Sequence, residues 1–127
     1  MTALSPLEMA AASMVAAQIS PNESAALIAQ LETAKVTLRE FTGVGFFTEV
    51  AVDRTLARAE VTESPGGWVR SLVGPEKYPL EFMLYVKDGF AEMIEAYSFF
   101  DGYGDLDLLT CDFTLPEAVI PTRLPLS

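Results

Sequence analysis

An Asp-Gly dipeptide at positions 88 and 89 constrains the fold of this chain more than any other sequence feature. It stands between two long runs of aliphatic, aromatic and β-branched residues, which together cover residues 80–99. Asp-Gly is typical of a two-residue type I′ turn, which requires positive φ at both positions. The sequence therefore predicts a β-hairpin with a tight turn.

A two-residue loop also predicts the register of this hairpin. Pairing outward from the turn begins with Lys87 opposite Phe90 and ends with Phe82 opposite Glu95. One predicted face carries Phe82, Leu84, Val86, Ala91, Met93, Glu95 and Tyr97, and the other carries Met83, Tyr85, Lys87, Phe90, Glu92, Ile94 and Ala96. Because both faces are largely apolar, we expect a central hairpin that is covered on both sides.

Two helices are predicted ahead of the strands. Residues 5–8 combine a capping serine, a proline in the first turn and a glutamate three residues after the serine, which is a capping box. Residues 20–23 repeat this signature. The second helix is expected to run to about Ala34, with Gln30 outside its apolar stripe.

Alternation, together with glycine and proline punctuation, predicts the remaining strands. They cover residues 36–42, 46–53, 68–73 and 107–115, with a short edge strand at 56–61. In the first strand, Val36 and Leu38 are expected on one side, and Lys35 and Arg39 on the other. The turn between the first two strands contains Gly43 and Gly45.

This order of elements favours an α+β fold, because no helical segment separates the later strands. We expect one domain over residues 1–127. Two N-terminal helices, at about 5–34, pack on a mainly antiparallel sheet of five or six strands, at about 35–115. The proline-containing tail, 116–127, is expected to be extended and not to join the sheet centrally.

The charge balance restricts the class of partner. The chain has 18 acidic and 8 basic residues, a net charge of −10. Residues 88–127 hold eight of the acids against a single base, Arg123. Such a field repels phosphate backbones and anionic membranes, so the predicted partner is a basic protein, with neither nucleic acid nor membrane as a partner. The apolar run 9–19 is short for a span and has no basic residue before it, so we expect a cytoplasmic protein.

Catalytic chemistry has little support in the sequence. The chain has no histidine and one cysteine, Cys111, which stands beside Asp112. A neighbouring carboxylate raises the pKa of a thiol, so Cys111 is expected to be inert. The prediction is a non-enzymatic protein without a cofactor or a metal centre.

The candidate binding residues combine carboxylates with aromatic rings. They are Glu95, Tyr97, Asp101, Tyr103, Asp105 and Asp107. The predicted register places Glu95 on an apolar face, where it needs a hydrogen-bond donor: Tyr85, Tyr97, Trp68 or an arginine of a strand. Aromatic residues with an acidic rim are typical of interface anchors.

Two functions therefore stay open on the residues alone. The first is a binding protein whose acidic C-terminal half docks a basic protein. The alternative is a small-molecule or cation-binding domain that uses Glu95 and the loop at residues 101–107. Oxygen-rich loops suit Ca²⁺ or Mg²⁺, although this one departs from the EF-hand pattern at Tyr103.

Two segments carry a resemblance to a known family. Residues 39–52, REFTGVGFFTEVAV, and residues 82–99, FMLYVKDGFAEMIEAYSF, resemble a family of small uncharacterised bacterial proteins. The chain has Ala96 where that family tends to have glycine, and it lacks the family's Trp-Pro after the last aromatic residue. The resemblance implies a compact α+β fold and assigns no reaction. Small acidic proteins of this style look like immunity proteins of bacterial toxin systems, which implies an inhibitor of a basic protein.

The two apolar faces of the hairpin also predict self-association. One layer of two helices covers only one face of a sheet. The other face would be an apolar patch larger than a monomer normally exposes. We therefore expect a symmetric homodimer.

Overall fold

Two helices followed by six strands make up the computed structural model, which describes residues 2–19, 21–60, 68–98 and 106–119. The helices are α1 (Pro6–Ala16) and α2 (Pro21–Glu32). The strands are β1 (Lys35–Phe41), β2 (Gly45–Ala51), β3 (Trp68–Val73), β4 (Tyr78–Lys87), β5 (Phe90–Tyr97) and β6 (Glu117–Val119). They form one antiparallel sheet in the order β1-β2-β5-β4-β3-β6, which confirms the α+β prediction and the central hairpin.

The predicted capping box of α1 is present. The Ser5 hydroxyl accepts a hydrogen bond from the Glu8 amide at 3.2 Å, and the Glu8 carboxylate accepts one from the Ser5 amide at 2.8 Å. These bonds satisfy two amides that a helix start otherwise leaves open. Ser20, the predicted cap of α2, lies outside the described residues.

The β4–β5 hairpin turns as predicted, but its register shifts after two pairs. Asp88 and Gly89 have φ of +54° and +84°, as a type I′ turn requires. Val86 pairs with Ala91, and then Tyr85 pairs with Met93 rather than with Glu92. A β-bulge at Glu92 therefore moves every later residue of β5 by one position.

The bulge corrects the predicted faces of the hairpin. Ile94 and Ala96 join Phe82 and Leu84 in the core, and Glu95 lies on the opposite face with Met93 and Tyr97. Glu95 pairs with Met83, not with Phe82. The prediction from strict alternation was wrong here because one extra residue exchanges the two faces.

One face of the sheet carries the hydrophobic core. Both helices pack on this face, and a single cluster of buried side chains joins them to the strands. Its members include Leu7, Val15, Leu27, Leu31, Phe46, Val69, Phe82, Leu84 and Ile94. The opposite face of the hairpin keeps half-exposed side chains, so the prediction that both faces are covered was wrong for the described residues.

Two further predictions need correction. Residues 56–60 form turn and irregular backbone rather than an edge strand, and Asp107–Cys111 form a turn. Phe113 makes an isolated bridge to Val73, and the last strand is β6, between Pro116 and the end of the described residues. β6 lies at the edge of the sheet, in agreement with the prediction that the tail does not join centrally.

Side-chain orientation differs from prediction in β1 and α2. A second bulge, between Val36 and Leu38, leaves Leu38 49% exposed and turns Arg39 toward α1. Gln30, predicted outside the apolar stripe of α2, is fully buried. Its amide nitrogen donates to the Ala57 and Gly89 carbonyls, and its carbonyl accepts from the Ala91 amide. Pairing of all its polar atoms lets this side chain lie in the core.

Gly45 is required by the close approach of β2 and β5. A Cβ atom at this position would lie 1.8 Å from the Ala96 carbonyl oxygen, which is backbone and has no room to move. Gly43, two residues earlier, has a positive φ of +92° but open space around it. Gly45 is therefore needed for steric reasons, and Gly43 for its backbone conformation.

We predict that Gly45→Ala lowers the free energy of unfolding by about 2–4 kcal/mol, because β2 and β5 must separate to admit the methyl group. Gly43→Ala is the matched control and is expected to cost about 1–2 kcal/mol, from backbone strain alone. Urea unfolding followed by circular dichroism measures both values. An equal or smaller loss for Gly45→Ala would contradict the close approach.

Candidate functional site

The half-exposed face of the sheet is the candidate functional site, and we call it the open face. Period-two alternation along the strands and direct pairing between them place its side chains in three transverse rows. The first row is Glu117, Arg70, Glu81, Tyr97 and Gly45; the second is Met83, Glu95, Phe47 and Glu40; the third is Tyr85, Met93, Glu49 and Leu38.

The open face is acidic, and its centre is rich in aromatic rings and methionine. Its three rows contain five glutamates against one arginine, Arg70. Tyr85, Tyr97, Phe47 and two methionines lie among these charges and are half-buried. A flat surface with this composition offers both apolar contact area and a negative field.

Glu81 and Arg70 form an ion pair in the first row. Arg70 Nη2 lies 2.6 Å from Glu81 Oε2, and Nε donates to the same oxygen at 3.2 Å. The Tyr97 hydroxyl lies 3.5 Å from Glu81 Oε1. Burial and the nearby Glu81 charge raise the pKa of Tyr97. Glu81 is only 5% exposed, and Arg70 compensates its charge.

Glu95 occupies the middle of the second row. Met83 and Phe47 flank it on the neighbouring strands. The Tyr85 hydroxyl donates to Glu95 Oε1 at 2.7 Å, which confirms Tyr85 among the predicted donors. This hydrogen bond, together with burial and the Glu95 charge, raises the pKa of Tyr85 to about 12.

The structure brings together two of the predicted site residues and separates a third. Glu95 and Tyr97 lie side by side on the open face. Asp107 instead begins a turn, where its Oδ1 accepts from the Leu109 amide at 2.9 Å and its carbonyl accepts from the Cys111 amide at 2.9 Å. The other predicted residues, Asp101, Tyr103 and Asp105, lie outside the described residues.

The residue pattern did not indicate Arg70 or Glu81 as members of the site, and it indicated Tyr85 only as a donor to Glu95. A signal was present for β4, since alternation places Glu81, Met83 and Tyr85 on one face. Arg70 joins them through the pairing of β3 with β4, which sets Arg70 opposite Glu81. That pairing depends on a turn in which Gly74 and Lys77 both adopt positive φ, and the residue pattern did not predict its register.

A groove extends the open face at its β6 side. It has a volume of about 480 Å³ and lies between β3 and the segment that leads into β6. Its lining includes Arg70, Leu72, Leu115, Glu117 and Val119. Leu115 is 81% exposed, so this groove adds apolar area to the acidic sheet surface.

The cation-binding alternative has no geometric support within the described part of the chain. Its cysteine and carboxylate side chains form no group of three that could hold a metal ion. Cys111 is half-buried, and burial is the main cause that raises the pKa of its thiol, with smaller contributions from Asp107 and Asp112. The cation-binding alternative, which includes residues beyond the described ranges, stays a prediction.

Comparison with known protein families, with curated proteins and with solved structures finds no match to this chain. Neither of the two helices in the described residues has the length and apolarity to cross a membrane. The geometry of the open face is therefore the basis for a functional proposal.

We predict that Glu95→Gln lowers the pKa of Tyr85 by about one unit or more toward its ordinary value of 10, because a neutral amide holds the phenol proton less strongly. Glu49→Gln, on the same face, is the control and should leave the pKa of Tyr85 near 12. Titration followed by NMR of ¹³C-labelled tyrosine rings measures both.

The same hydrogen bond predicts how stability depends on pH. The folded pKa of Tyr85 lies above the unfolded value of 10, so the stabilisation is complete below pH 10 and is lost as the pH rises toward 12. Glu95→Gln should weaken this loss. A Tyr85 pKa near 10 in the unsubstituted protein would contradict the hydrogen bond.

Proposed function

We propose that this protein is a non-enzymatic binding protein whose open face docks a basic protein, as an immunity-type inhibitor does. The observation that carries the proposal is the composition of the open face. Three exposed glutamates border a half-exposed cluster of tyrosine, phenylalanine and methionine, and Glu81 and Glu95 lie within it, on a surface that both helices leave uncovered. The net charge of −10 gives the whole molecule the same sign.

Charge complementarity supports a basic partner over other occupants. Negative side chains arranged across a surface accelerate encounter with a cationic protein and disfavour acidic ones. Most of these glutamates lie at the rim of the face, at Glu40, Glu49 and Glu117, which are exposed. Rim charges of this kind direct the approach and orientation of a partner.

The centre of the face supports a specific interface. Tyrosine, phenylalanine and methionine are enriched in interface cores and contribute disproportionately to affinity. These side chains project from paired strands rather than from loops. A surface that is already ordered loses less conformational entropy on binding.

Self-association on the open face is less compatible with its charge. A two-fold contact would bring the five glutamates of one copy close to those of the other. The predicted homodimer stays a prediction, and light scattering at micromolar concentration measures it. Met83→Asp is the informative substitution for this measurement, because Met83 is half-buried on the open face.

We predict that affinity capture from a lysate of the source organism enriches proteins with a pI above about 9, and that Glu49→Lys/Glu95→Lys abolishes their capture. The matched control is Glu32→Lys/Glu76→Lys, which changes the net charge equally at exposed positions outside the open-face rows. With one captured protein purified, calorimetry should show a loss of affinity of about 100-fold for the first variant and less than about 3-fold for the control.

Two results would contradict the proposal. Equal losses for the two double variants would mean that net charge alone drives binding. Capture of only neutral or acidic proteins would exclude the basic partner.

A further inference from the structure

The open face contains two tyrosine–glutamate pairs, one between directly opposite residues and one on a diagonal. In the first, Tyr97 of β5 faces Glu81 of β4; in the second, Tyr85 of β4 donates to Glu95 of β5. Each pair joins the two central strands, and in each a phenol oxygen approaches one carboxylate oxygen, Oε1. In each pair the other carboxylate oxygen of the glutamate, Oε2, can accept a hydrogen bond from a further donor.

The first pair is completed by an arginine from the next strand. Arg70 of β3 stands directly opposite Glu81 and places both Nε and Nη2 on its Oε2. The result is a carboxylate held between a phenol and a guanidinium. Arginine suits this position because its planar fork matches a carboxylate and its face packs on aromatic rings.

The second pair has no such cation among the residues that the structure describes. In that part of the chain the ion pairs are Arg39–Glu8 and Arg70–Glu81, and Tyr85 is the one hydrogen-bond donor to Glu95. The neighbours of Glu95 across the sheet are Met83 and Phe47, and Met93 and Tyr97 flank it along β5. A half-buried carboxylate in an aromatic and thioether setting is poorly solvated without a partner.

We propose that Glu95 receives an arginine side chain of the basic partner, so that the second pair is completed in the complex as Arg70 completes the first. This inference rests on the proposed function, since it specifies how that partner is anchored. The guanidinium donates to Glu95 Oε2 and packs against Tyr85 and Phe47. A guanidinium fits better than an ammonium group because it is planar. It can donate hydrogen bonds to the carboxylate and at the same time stack on the aromatic rings.

The test uses a small probe and needs no identified partner. N-acetyl-argininamide is titrated into ¹³C-methyl-methionine-labelled protein, with N-acetyl-citrullinamide as the uncharged isostere. We expect saturable shifts of the Met83 and Met93 methyl resonances with argininamide and none with citrullinamide. Glu95→Gln should weaken argininamide binding at least about fivefold, whereas Glu76→Gln, at an exposed position outside the open-face rows, should change it less than twofold.

Several outcomes would overturn the arginine site. Shifts that never saturate, or that Glu76→Gln and Glu95→Gln reduce equally, would mean that the probe follows net charge. Binding of N-acetyl-lysinamide as tight as that of N-acetyl-argininamide would show that the site does not prefer a guanidinium. Stronger argininamide binding in Arg123→Gln would mean that Arg123 of the same chain already pairs with Glu95.

The failure of this inference is distinguishable from the failure of the proposed function. A saturable argininamide site at Glu95, with no basic protein captured, overturns the partner and supports the arginine site. A captured basic protein that binds the Glu95→Gln variant as tightly as the unsubstituted protein overturns the arginine site alone.

Discussion

A single buried carboxylate, that of Glu8, connects three elements and determines which face of the sheet the helices cover. Its oxygens accept from the Ser5 amide at the start of α1, from Arg39 of β1 at 2.7 and 3.1 Å, and from the Thr48 hydroxyl of β2. Glu8 has no exposed surface. Loss of one partner of a buried ion pair costs about 3–5 kcal/mol, so this network ties the start of α1 firmly to side chains of β1 and β2.

Gln30 likewise anchors α2 to the sheet, next to the β4–β5 turn. Its three hydrogen bonds tie α2 to the β4–β5 turn and to the segment that contains Ala57. With both helices held on the same side, neither α1 nor α2 covers the remaining face of the sheet. The hydrophobic cluster and these two polar contacts together hold the helices on the core face and leave the open face without them.

Most elements of this fold could be predicted from local chemistry, whereas the positions of the side chains in the candidate site could not. The capping box at Ser5 and the Asp88-Gly89 turn each depend on neighbours in sequence, and both were confirmed. The bulge at Glu92 depends on how β5 pairs with the neighbouring strands, and this pairing is not encoded in the local residue pattern. One residue of slippage moved Glu95 from the predicted core face to the open face.

Buried polar groups were the other gap in the sequence analysis. Glu8 was predicted as a capping residue, and that role accounts for only one of the contacts of its carboxylate in the structure. Gln30 was assigned to the solvent side because it is polar, and its burial depends on carbonyls and an amide that lie 27 to 61 residues away in the chain. Such contacts exist only once the fold is known, so composition and periodicity do not predict them.

Methyl NMR with a soluble paramagnetic agent tests whether the open face is accessible and whether a basic partner covers it. The method reports the accessibility of each face of the sheet in the free and the bound protein. We expect the agent to relax the methyl groups of Met83 and Met93 strongly in the free protein, because both lie on the open face. The buried methyl groups of Ile94 and Leu84 should not be relaxed. We further expect that a saturating basic partner protects Met83 and Met93 and leaves Met9 and Met14, on α1, unchanged. Weak relaxation of Met83 and Met93 in the free protein, or protection of the α1 methionines in their place, would contradict this account.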